Sequence, residues 1–300
     1  MAAGPEKILL LIADRGFRSF PLFLFNPRNQ PQQAPEVIAH PKSTLWFHIH
    51  IPKTAGSTLR QILSRNFGNA YFSAVSLMEH HKLSLKNTEE IIEKHYRWLR
   101  CYSDHRLSLD LPFDSEKLNV RALAFVRNPV DQVVSQYNFQ SGQNRRKTDV
   151  AEMTLAEFVE KKFNKPGRAS RGLQLQRLRG QINGSSMTDI KRLLDEEKLF
   201  LFPLEEFDLA MACLEKRFSS EFHSTEYLHA NRSVKKDVPD ADIRSRIREL
   251  VEPDFELHDI ATWFLSTMAS TLFQTPREQK KTVRKLQQRC QSLQKKAAAA

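Results

Sequence analysis

A chain of 300 residues is long enough for one large domain or two small ones. With 40% hydrophobic and 27% charged residues it is neither a disordered nor a fibrous protein. The net charge of +11, from 46 basic and 35 acidic residues, favours anionic partners. The basic residues are spread along the chain rather than gathered with aromatics on one element, which argues against nucleic acid.

Near the N-terminus, residues 8–13 form the longest apolar run, far short of the roughly 20 residues that span a bilayer. "FPLFLF" (20–25) is shorter than a signal-peptide core. Residues 26–44, rich in Pro, Gln and Asn, read as a linker. The division is therefore an N-terminal segment and linker (1–44), a folded domain (45–275) and a polar helical tail (276–300).

From Leu45 to Ile51 the spacing predicts a strand, with Trp46, His48 and His50 on one face and Phe47, Ile49 and Ile51 on the other. Leu59, Ile62, Leu63 and Phe67 then mark a helical stripe, so "PKTAGST" (52–58) is a strand-to-helix turn. Asn87 followed by Glu90 suggests a capped helix start. Val120 to Val126 reads as a buried strand, and Pro129 suits the first position of a helix carrying Val130, Val133, Val134 and Tyr137. Thr154 and Glu157 cap another helix through Phe163. Leu199 to Phe202 is a short strand closed by Pro203, with a helix after it. Further stripes follow at Ile243, Ile247 and Leu250, and at Leu257, Ile260, Ala261 and Phe264. Strands alternating with helices imply an α/β fold in three layers, a mostly parallel sheet covered on both faces.

In the tail, Val283, Leu286, Cys290 and Leu293 are spaced three, four, three. That is a short a/d seam, a weak basis for homo-oligomerisation, and a solvated terminal helix is the favoured reading. Cys101, Cys213 and Cys290 have no metal-ligand spacing and fit a reducing compartment, so the expected location is cytoplasmic.

The turn "PKTAGST" aims several backbone N–H groups at one spot, where the helix dipole adds positive potential for phosphate or sulfate. Gly56 permits close approach, Thr54, Ser57 and Thr58 offer hydroxyls, and Lys53 adds a charge. The lysine precedes the glycine, and no glycine lies upstream. That order departs from the G-x-x-x-x-G-K-[ST] loop of nucleotide triphosphatases. Arg127 ends a buried strand, where its guanidinium suits bidentate phosphate binding, and Ser135 lies on the following helix away from the apolar stripe.

"HIPKTAGST" and "FVRNPVDQVVSQYNF" (125–139) together resemble the nucleotide site of sulfotransferases that use 3′-phosphoadenosine 5′-phosphosulfate, PAPS. The branch most similar contains heparan and uronyl 2-O-sulfotransferases and their bacterial relatives. The resemblance covers residues 45–268 and implies a P-loop-like sulfotransferase fold. Pro52, Lys53, Thr54, Ala55, Gly56, Ser57 and Thr58 would cradle the 5′-phosphosulfate, with Arg127 and Ser135 at the 3′-phosphate. "HANRSVKKD" (229–237) resembles the loop that closes over the nucleotide, which would bring in Asn231, Ser233 and Lys235. "EPDFELHDI" resembles the family's closing acidic-aromatic helix, with His258 where Tyr is usual.

The resemblance implies O-sulfation of a hydroxyl, on a carbohydrate, with PAPS as co-substrate and no metal. Sulfuryl transfer is chiefly positioning and charge stabilisation, so Lys53 is the catalytic cation, and a base must take the acceptor proton. His105 in "CYSDHRLSLDLPF" resembles the family's histidine base, with Asp104 as a neighbour able to raise its pKa. Glu79 and Glu93 are alternative bases. His48 and His50, at i and i+2, could hold a metal, but no third ligand follows nearby. The basic stretches 144–149, 165–172 and 171–180 suit an anionic glycan acceptor and equally read as solvated charge on loops and helix faces, with a small alcohol or a lipid headgroup as the other acceptors. Alternatives are a kinase or triphosphatase variant, and a nucleotide-binding protein without turnover. The glycan-modifying relatives imply a Golgi membrane as the other location.

Overall fold

The computed structural model describes residues 42–74, 83–142, 153–163, 172–180, 186–228 and 239–299. The compact unit carrying the site is Lys42–Ala300. Its sheet has five strands: β1 (Ser43–Ile49), β2 (Tyr71–Ser73), β3 (Cys101–Asp104), β4 (Leu118–Val126) and β5 (Leu199–Pro203). Their order is β2-β3-β1-β4-β5, and every pairing is parallel. Ten helices surround it among the described residues: α1 (Gly56–Phe67), α2 (Leu85–His95), α3 (Pro129–Gly142), α4 (Leu155–Phe163), α5 (Leu173–Leu178), α6 (Met187–Asp195), α7 (Phe207–Arg217), α8 (Ala241–Leu250), α9 (Glu252–Leu272) and α10 (Pro276–Ala299).

Alternation along β1 divides the core. Trp46 packs with Leu59, Ile62 and Leu63 of α1 and with Phe125, Phe200 and Phe202. Phe47 and Ile49 face the other layer, with Val120, Ala122, Leu199 and Leu257. Both faces are thus apolar, as a covered parallel sheet requires. The chain leaves β1 towards β2 and β3 on one side, and resumes with β4 and β5 on the other. The strand order therefore reverses at the β1–β4 boundary, where the carboxyl ends of the strands open a crevice.

Four elements, β2, β3, α2 and α10, differ from the sequence reading. Strands β2 and β3 carry no apolar pattern: β2 is a three-residue edge strand with Phe72 41% exposed, and β3 is "CYSD". Pairing, rather than periodicity, makes them strands. Helix α2 begins two residues early, because Ser84 is its cap: the Ser84 hydroxyl accepts from Asn87 N (3.2 Å), and Asn87 Oδ1 accepts from Ser84 N (3.0 Å). Helix α10 is not solvated all round. Its Leu286 and Cys290 are buried against the α7 side of the core, and Cys290 Sγ accepts the Tyr227 N–H at 3.3 Å. Those two positions of the supposed seam are covered by their own chain. Among the described residues no helix is long and apolar enough to cross a membrane; residues 8–25 lie outside them.

Candidate active site

The turn after β1 curls its backbone round one point. Lys53 (φ 69°) and Ala55 (φ 59°) have positive φ on either side of Thr54. Such alternation gathers successive N–H groups into an anion-binding concavity. Helix α1 starts there with no side-chain cap and no acidic residue in its first turn, so its leading N–H groups and dipole are left for a ligand. Gly56 is required because a Cβ there would lie 1.8 Å from His50 Nε2. Thr54 does not offer its hydroxyl as expected: Oγ1–H donates to Ile51 O at 2.8 Å, bracing the turn from within. Ser57 Oγ accepts a long bond from Arg60 (3.5 Å).

Helix α3 presents Gln132, Ser135 and Phe139, at i, i+3 and i+7, on one stripe. Gln132 Nε2 donates to Pro52 O at 3.4 Å, and Lys53 Nζ lies 4.2 Å from the Phe139 ring centroid. The stripe therefore faces the loop, with buried Ser135 between these two contacts. Val130, Val133 and Val134 bury the opposite side. Asn128 caps the helix, accepting from Val130 N at 3.1 Å.

Arg127 is held through its backbone. Its N–H donates to Gln174 Oε1 (2.8 Å), and its carbonyl accepts from Gln174 Nε2 (2.7 Å). Gln174 is positioned by Asp254, whose carboxylate accepts from the N–H groups of Leu173 (2.6 Å), Gln174 (3.0 Å) and Leu175 (2.9 Å) at the start of α5. Burial pushes the Asp254 pKa up to about 6 against those three donors, so it is ionised at neutral pH. Gly172 (φ 63°) admits Asp254, since a Cβ there would meet Oδ1 at 2.3 Å. Glu205 accepts from Asn128 N (2.8 Å) and pairs with His258 Nε2 (3.0 Å). Although burial opposes it, these bonds hold the Glu205 carboxyl below its usual range.

The Arg127 guanidinium itself has no partner among the described residues. Lys53 has no carboxylate partner there either. Its pKa is lowered first by burial and then by the charge of Arg127.

Three histidines stack across the ends of β1 and β3. His48 and His50 lie 5.3 Å apart by centroid, and His50 and His105 lie 3.8 Å apart. His48 Nδ1 pairs with Ser103 Oγ at 2.8 Å. The rings stack face to face instead of converging on one point, and no metal-binding group of three His, Cys, Asp or Glu occurs among the described residues. His105 Nδ1 lies 3.1 Å from His50 O. A carbonyl can only accept, so Nδ1 carries the proton and Nε2 keeps its lone pair. Burial lowers the His105 pKa, and the charges of Arg60 and Arg177 act in the same direction. Asp104, expected to raise it, is outweighed: its carboxylate is engaged by Arg106 (2.8 Å) and Tyr102 OH (3.0 Å).

Among the other expected residues, Glu93 is exposed and lies 3.9 Å from Lys117, at the start of β4 and away from the loop. Asn231, Ser233, Lys235, Glu79 and the basic stretch 144–149 fall outside the described residues. Sequence reasoning missed Gln132, Gln174, Asp254 and Glu205. Only Gln132 carried a legible signal, standing one turn before Ser135 on the same helix stripe.

An α/β sheet with uncapped N–H groups and two cations that lack a carboxylate partner among the described residues, all at its switch point, defines a site for a multiply charged anion. The model of the sulfotransferase family matches residues 36–259, and the chain belongs to that family, so its reaction class is sulfuryl transfer. Solved structures that are similar include the following two. A sulfotransferase from Alicyclobacillus acidocaldarius is 15% identical with a TM-score of 0.39, the match covering 74% of this chain and 95% of the other. The mouse sulfotransferase SULT7A1, complexed with PAP, is 16% identical with a TM-score of 0.38, over 73% and 67%. No match is found among curated proteins.

Proposed function

We propose that this chain transfers the sulfuryl group of PAPS to a hydroxyl of an anionic carbohydrate, with His105 as base. The observation that carries this reading is the fixed tautomer of His105, an imidazole whose Nε2 keeps its lone pair, together with Lys53 in the turn after β1 and Arg127 at the end of β4, neither of which has a carboxylate partner among the described residues. The residues fit the co-substrate: two cations and an uncapped helix start match a nucleotide anionic at both its 5′ and 3′ ends. PAPS supplies the sulfuryl group and a phosphate leaving group.

In this scheme Arg127 and Ser135 hold the 3′-phosphate, and the turn 52–58 holds the 5′ end. His105 Nε2 takes the acceptor proton as the hydroxyl oxygen bonds to sulfur. Lys53 neutralises the charge that collects on the departing oxygen. Arg60 and Arg177 support an anionic acceptor: both bear on His105, and neither has an acidic partner among the described residues.

Two measurements test the reading. Calorimetry should give tighter binding of 3′-phosphoadenosine 5′-phosphate than of ATP–magnesium; the reverse preference points to a kinase or triphosphatase instead. Radiolabelled sulfuryl transfer to a panel of glycans and neutral alcohols should favour uronate-bearing glycans, with loss in Lys53→Ala. Binding without transfer to any acceptor would leave a nucleotide-binding protein and sink the enzymatic reading.

A further inference from the structure

Phe139 is 46% exposed, an unusual place for a large apolar ring on a helix that buries its valines. Lys53 Nζ stands over its face, 4.2 Å from the centroid. The backbone of Lys53 is in the left-handed region (φ 69°), uncommon outside glycine, and its side chain reaches to a ring one turn beyond Ser135. No carboxylate among the described residues meets the ammonium. We propose that Phe139 is the positioning residue of Lys53, its ring face holding the ammonium at the mouth of the loop in the resting protein.

Chemistry favours a ring for this task. A carboxylate would hold the lysine more firmly, but it would cancel the charge and repel an arriving dianion. An aliphatic side chain would offer the cation nothing. The quadrupole of an aromatic face attracts a cation while leaving its charge intact, so the same ammonium can hold the ring and meet an arriving anion. For its catalytic consequence alone, the proposal rests on Lys53 acting at the sulfuryl group.

The test replaces Phe139 in the full chain with mono-, di- and trifluorophenylalanine, which keep the ring's shape and progressively weaken its face. Acylation of the Lys53 ε-amine, followed by peptide mass, should speed up stepwise, by about two- to fivefold at trifluoro, as a weak cation–π contact implies. Turnover number should fall in step while KM for the nucleotide holds. Phe139→Tyr and Phe139→Trp should keep native values in both assays. Native Lys53 reactivity across the fluorinated series overturns the proposal, as does graded reactivity with unchanged turnover. If the native chain transfers no sulfuryl group, the reactivity series still decides the Lys53–Phe139 contact, and the enzymatic reading fails separately.

Discussion

A methyl group at position 56 would collide with the ring of His50, which also stacks on His105. Gly56→Ala should therefore cost about 1–3 kcal/mol of stability by overpacking, read by chemical denaturation. The cost should shrink when His50 is also Ala, because the collision partner is gone. His105→Ala should lower turnover by about 10²–10⁴-fold with the nucleotide still bound. The pH profile follows from the direction of the His105 shift. Burial disfavours the imidazolium, so the base stays neutral below the ordinary histidine range. The rate should be level through neutrality, with its acid limb below about pH 6.5. An acid limb above that value would contradict the assignment. At this scale Lys53, Gly56 and Arg127 were legible because a strand ending in small or charged residues has few other uses. The fixed tautomer of His105 was not, since it depends on a carbonyl 55 residues away.

At the level of elements, the site depends on a short helix that no motif announces. The six residues of α5 begin on the Asp254 carboxylate and deliver Gln174 to Arg127. Asp254→Ala leaves three N–H groups without their acceptor, and should destabilise the protein by about 2–3 kcal/mol in denaturant titration. Gln174→Ala should spare the fold more than the site, weakening nucleotide binding in calorimetry through a loosened Arg127. Equal losses in stability and affinity would refute that division. β1, β4, β5 and the apolar stripes were readable because period and burial coincide in them. β2, β3 and α5 were not, because long-range pairing and one buried carboxylate, rather than local pattern, determine them.

Over the whole molecule, the histidine column makes stability dependent on acid. Burial lowers His48 from 6.5 to about 3, and likewise lowers His50 and His105. Between those pH values the unfolded chain takes up protons that the folded chain refuses, so stability falls as pH drops below about 6.5. Each excluded proton costs about 1.4 kcal/mol per pH unit, so His48 alone should cost about 2 kcal/mol at pH 5. Thermal unfolding of the native chain and of His48→Gln across pH 5–7 should show the variant losing less. Helix α10 also belongs to this scale: Leu286→Ala should cost about 2–5 kcal/mol, because its side chain fills the core beside α7. The contact between Gln132 and Pro52 has a kinetic consequence. It joins segments 80 residues apart, which follow the paired strands β1 and β4, with β2 and β3 lying between them in the chain. Closing so long a loop is slow compared with forming a helix. In refolding, helical circular dichroism should return first and nucleotide binding last, so that a newly made chain has its secondary structure before it has its site.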